Sequence, residues 1–149
     1  MGIYEEKASA LFKSGYNCAQ AVFLAFAEKM NIDRETAIKL SSSFGGGIGR
    51  MREVCGAVSG MCMVIGVLYG YSDVDDVTAK KEHYERIRKL AAEFKAENGS
   101  IICRELLGIK TAEKSAAPEP RTEQYFHSRP CEKMVADAAI LTEEYINTH

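Results

Sequence analysis

The chain has 149 residues, with 19 Lys and Arg against 21 Asp and Glu, a net charge of -2 and no tryptophan. That length fits a single domain able to bury roughly two-thirds of its unfolded surface, so bulk stability needs no disulfide staples. The balanced charge leaves no electrostatic footprint for nucleic acid or anionic lipid, and neither is an expected partner.

In chain order, Met1-Gly2-Ile3-Tyr4-Glu5-Glu6-Lys7 lacks the basic and apolar regions of a secretory signal, and Glu6 stands where a myristoylation site needs Ser or Thr. The expectation is a cytoplasmic protein. Ile3, Ala8, Leu11 and Phe12 give a short amphipathic helix that Ser14-Gly15 ends. Asn17 caps a second helix beginning at Cys18 and apolar on nearly all sides to Ala27, hence enclosed by neighbours. Asp33 caps a third, through Ala37, Ile38 and Leu40, which runs until the glycine loop Gly45-Gly46-Gly47-Ile48-Gly49. That loop has neither the Gly-Lys-Ser/Thr ending of a phosphate-binding loop nor the preceding strand of a dinucleotide fingerprint. Its expected role is geometric, letting backbone pass close to Cys55; Gly45, Gly46, Gly47 and Gly56 are candidate positions whose backbone lies near a thiol.

Val54 to Gly70 holds 17 uncharged residues, the lower edge of a membrane span. Gly56, Gly60, Gly66 and Gly70 suit a buried central helix equally well, and membrane insertion is not expected. Asp75 or Asp76 begins a long charged helix with Val77, Tyr84, Ile87, Ala91 and Phe94 at helical spacing, stopped by Asn98-Gly99. Ser100 starts a short helix containing Cys103, Leu106 and Leu107, closed by Gly108. Lys110 to His127, with Pro118 and Pro120, reads as an exposed loop long enough to cover something. The last helix, from about Arg129 to Ile146, aligns Cys131, Met134, Val135, Ala138, Leu141 and Tyr145 on one stripe. No alternating apolar and polar run and no repeat is present. The reading is all-α: one domain, 1–149, a bundle of six or seven helices around a buried Gly-rich apolar helix.

The chemistry lies in the cysteines. Cys18, Cys55, Cys103 and Cys131 each sit beside a helix-start signal, where unsatisfied N–H groups and the positive dipole end favour thiolate over thiol. Ser100 and Ser128 are the expected caps for Cys103 and Cys131, and Pro130 suits a first turn. Cys131, with Arg129 beside it and Glu132 opposing, is the favoured nucleophile, and Cys103, next to Arg104, the expected partner or second reactive thiol. Cys62, inside the apolar run and about 10 Å along a helix from Cys55, is read as core packing, beyond the roughly 7 Å reach of a disulfide. His127, His83 and His149 are read as solvated.

The stretch Val54-Cys55-Gly56-Ala57-Val58-Ser59-Gly60, with Cys18 in Asn17-Cys18-Ala19-Gln20 upstream and Cys103 and Cys131 downstream, resembles the redox-active family named for its C…GCAxxG…C…C pattern. The box reads Cys-Gly-Ala rather than Gly-Cys-Ala, and Cys62 lies outside the pattern. The resemblance covers nearly the whole chain and implies a redox role without naming a substrate. Some members look similar to the C-terminal part of split-Soret cytochromes, where iron–sulfur chemistry is implied; no C-x-x-C-H is present to attach a c-type haem.

Three functions follow. The first is thiol–disulfide cycling or electron transfer by Cys18, Cys55, Cys103 and Cys131 with an unidentified redox partner. The second uses the same four sulfurs as ligands of zinc or an iron–sulfur cluster, without the paired short spacings usual for such sites. The third is a scaffold with buried structural cysteines, docking a partner through the Lys110 to His127 loop. Homo-oligomerisation is compatible with each.

Overall fold

The computed structural model describes residues 2–109 and 115–149, apart from the side chains of 127 and 128, and is all-α. Among the described residues there are nine α-helices: α1 (Ile3–Lys13), α2 (Cys18–Ala25), α3 (Ala27–Met30), α4 (Arg34–Ser41), α5 (Gly56–Tyr69), α6 (Val77–Asn98), α7 (Cys103–Leu107), α8 (Glu123–Ser128) and α9 (Cys131–Thr148). A 3-10 turn, Ser42–Phe44, follows α4. The two helices beyond the expected number are short. The apolar second segment breaks at Phe26, which ends α2 and starts α3, and α3 stops at Asn31 in the left-handed conformation (φ 58°). The segment expected as loop up to His127 instead forms α8, capped by Thr122 accepting the Tyr125 N–H. Lys110 to Lys114 of that segment, and the side chains of His127 and Ser128, lie outside the described residues.

Helix α2 packs against α1, α4, α5 and α9, while α5 also meets α6 and α9. The all-round apolar surface of α2 thus finds neighbours on each side, and Ala19, Ala21, Val22 and Phe23 are fully buried. Phe12, Phe23, Phe26 and Phe94 are the largest side chains in the core, joined by Met61 and Ile65 from α5. Along α6 burial begins late: Leu90 and Phe94 are enclosed, but Val77 and Tyr84, expected on the same stripe, are exposed. No helix among the described residues is long and apolar enough to cross a membrane.

Two devices position the functional region. The first is the close approach of α2 and α5. A Cβ on Gly60 would stand 2.9 Å from the Ala19 carbonyl oxygen and 3.0 Å from Val22 Cβ; one on Gly56 would stand 3.0 Å from the Ala19 nitrogen and 3.2 Å from Cys18 Cβ. Only glycine at these positions lets the N-terminal ends of α2 and α5 touch. The second is a short antiparallel pairing of residues 52–55 with 101–104 through a bridge between Val54 and Ile102. The Cys55 N–H donates to the Ile101 carbonyl (2.8 Å) and the Cys103 N–H to the Glu53 carbonyl (2.6 Å). This brings the starts of α5 and α7 side by side.

Candidate functional site

All four signature cysteines stand at helix starts. Cys18, Cys103 and Cys131 are the first residues of α2, α7 and α9, and Cys55 is the residue before α5. The means of starting differ. Asn17 forms a full capping box with Gln20, as its sequence position implies. The serine caps expected for α7 and α9 do not form. Ile102 is held extended by the pairing with Val54, so α7 cannot begin before Cys103. Ser100 Oγ accepts the Ile102 N–H and donates to Glu105 instead. Helix α9 is preceded by Pro130, with no side-chain cap, because Ser128 belongs to α8.

The four cysteines line one cavity of about 120 Å³. Gly46, Gly47 and Gly56 contribute to its wall, whereas Gly45 packs on Asn17. Cys55 and Cys103 are buried at 5% and 8% exposure, and Cys18 and Cys131 are half-buried. Cys62 lies away from the cavity on α5 against the apolar core, and burial pushes its thiol up to about 11.

Along the sequence only Arg129 and Arg104 stand beside these sulfurs as cations. Arg50, Arg52, Arg121 and Arg129 all line the cavity. Arg52 is 7% exposed and donates to Cys103 Sγ at 3.6 Å. Arg121 is held by the Phe12 and Tyr16 carbonyls (2.9 and 3.0 Å) and lies over the Phe12 and Tyr125 rings. Arg50 and Arg52 come from the glycine loop, which turns left-handed repeatedly, at Ile48, Arg50 and Arg52 as well as at its glycines. Each non-glycine residue so placed costs about 1–2 kcal/mol. The signal available in the sequence was two arginines between a glycine run and a cysteine box.

The electrostatics separate the thiols. Hydrogen bonding from the Cys18 thiol lowers Cys131 to about 7 against the cost of burial, helped by Arg129, Arg52 and Arg121. The same contact, followed by burial and by the neighbouring sulfurs, raises Cys18 well above its ordinary value. Of the two, Cys131 therefore carries the negative charge and Cys18 keeps the proton. Burial pushes Cys55 up to about 12 despite the Ala57 and Val58 N–H groups, and raises Cys103 in spite of Arg52. The strongest influence on Cys131 thus comes from Cys18, while Cys103 is the sulfur that Arg52 reaches. Tyr125, also lining the cavity, is pushed up to about 12 by burial and by Cys131. Glu132, expected to oppose the thiolate, pairs with Lys13 at 3.1 Å.

Among the described residues no three His, Cys, Asp or Glu side chains stand close enough to hold a metal ion. The four sulfurs share walls of one cavity without forming the ligand set that zinc or an iron–sulfur cluster requires.

A family model described as "Putative redox-active protein (C_GCAxxG_C_C)" matches residues 16–145, a span containing all four cavity cysteines and the arginines around them. No curated protein and no solved structure matches the chain.

Proposed function

The chain belongs to this redox-active family, and from that premise we propose that it works as a dithiol–disulfide redox protein in which Cys131 is the nucleophile and Cys18 the resolving thiol. The observation that carries this reading is the cavity that Cys18 and Cys131 line together with Arg52, Arg121 and Arg129, where Cys131 is drawn down to about 7. A thiolate is the reacting form of cysteine, and one titrating near neutrality combines a large ionised fraction with good nucleophilicity. Closure of this thiolate–thiol pair to a disulfide passes two electrons to a two-electron acceptor and releases the one proton that Cys18 holds. Cys103 and Cys55 are placed as further thiols on the same wall. Their raised values suit them to remain protonated while Cys131 reacts.

The test is a redox titration of the full chain against defined ratios of reduced and oxidised dithiothreitol. The expected result is a reversible two-electron transition that is lost in both Cys131→Ser and Cys18→Ser and retained in Cys62→Ser. A transition that survives loss of Cys131 and Cys18 defeats the assignment.

A further inference from the structure

Glu119 is the one acidic side chain among the described residues lining the thiol cavity, and it contacts two of the arginines there. Its Oε1 accepts from Arg129 Nη2 and lies 3.8 Å from Arg50 Nη2. The two guanidinium side chains are 15% and 16% exposed, while the carboxylate is 40% exposed, so the anion reaches in from the mouth towards cations set deeper. It is presented between Pro118 and Pro120, and the next residue, Arg121, ties this segment to the Phe12 and Tyr16 carbonyls. The arrangement is a carboxylate seated on paired guanidinia beside a reactive thiol, supplied by the chain itself.

Resting on the thiol-redox reading above, we infer that the cavity takes small disulfides bearing carboxylates, and that Glu119 occupies the position of the substrate carboxylate until one enters. Guanidinium groups in fixed geometry are the side chains best matched to a carboxylate. With about 120 Å³ available, only the reacting end of such a molecule is enclosed. The Cys131 thiolate attacks one sulfur of the disulfide, whose S–S bond breaks, and the first half leaves as a thiolate. Cys18 gives its proton to that departing thiolate and attacks Cys131 Sγ, expelling the second half as a thiolate. A thiolate–thiol pair and a disulfide become a disulfide, a thiol and a thiolate, and the substrate is itself the oxidant.

The experiment measures the rate at which reduced full-length protein is oxidised by dithiodiglycolate, hydroxyethyl disulfide and cystamine, which are anionic, neutral and cationic. Each rate is divided by that of free cysteine with the same reagent. The expected order is anionic, neutral, cationic, spanning at least about tenfold at low ionic strength and narrowing in high salt. Glu119→Gln should raise the anionic-to-neutral ratio several-fold by removing the internal competitor, and Arg129→Gln should lower it. The ratio cancels any change in Cys131 itself. Equal normalised rates for all three reagents overturn the inference and leave the redox reading standing, whereas failure of every reagent to oxidise the protein overturns both. An unchanged ratio in Glu119→Gln overturns the placement of the substrate carboxylate at Glu119.

Discussion

Replacing Cys18 by Ala removes the largest single influence on Cys131, the hydrogen bond between the two sulfurs. Cys131 stands at about 7 against an ordinary value of 9.0, a displacement worth roughly 2–3 kcal/mol at ~1.4 kcal/mol per unit. A hydrogen bond to a charged group contributes about 1.5–3 kcal/mol. The three guanidinia remain in the variant, and burial still opposes them. Cys131 should therefore titrate roughly 1–2 units higher in Cys18→Ala than in the parent protein. The assay is iodoacetamide alkylation of native reduced protein from acid to alkaline pH, with Cys131 followed by peptide mass spectrometry. The midpoint is the proper readout, because a thiolate of higher pKa is intrinsically more nucleophilic and partly offsets its lower abundance. Cys18→Ser, which keeps a donor, should fall between the two. A midpoint within about 0.3 units of the parent in Cys18→Ala would refute the claim that the thiol pair sets the reactivity of Cys131.

Three further outcomes follow from the same geometry. Gly60→Ala gains about 1 kcal/mol of helix propensity but drives a methyl into the Ala19 backbone oxygen at 2.9 Å. With overpacking at ~1–3 kcal/mol, thermal melting should drop by a few degrees, and a raised melting temperature would show that α2 and α5 can separate at no cost. Asn17→Ala loses the capping box and a 3.2 Å bond to the Ser42 carbonyl, so chemical denaturation should register a loss of about 1–2 kcal/mol. In Arg52→Gln the donor to Cys103 Sγ is lost along with one of the charges that favour ionised Cys131. Alkylation midpoints of both thiols should move to higher pH.

Local signals located the cysteines along the chain well. Asn17, Asp33, Asp76 and Gly99 act as caps in the structure, and each is a residue type with a specific local reason to end or begin a helix. Ser100 and Ser128 carried the same type of signal and failed for non-local reasons. A partner segment 46 or more residues away holds Ile102 extended up to the start of α7, and a separate helix claims Ser128. The meeting of Cys18 with Cys131 depends on glycines permitting helix contact and on α9 packing against α2, relations that no window along the sequence contains. The arginine lining was hidden for the same reason. Arg50 and Arg52 reach the thiols through a left-handed loop that their side chains disfavour, while Arg121 lies in a proline-flanked segment whose partners, Phe12 and Tyr16, are over a hundred residues away.

The most direct test of the account is to oxidise the reduced chain with one equivalent of a disulfide reagent, trap remaining thiols in acid, and map the linked peptides. A predominant Cys18–Cys131 bond that dithiothreitol restores to two thiols is the predicted result. A product in which Cys18 and Cys131 are both still free, or in which Cys62 is the sulfur that has reacted, contradicts it.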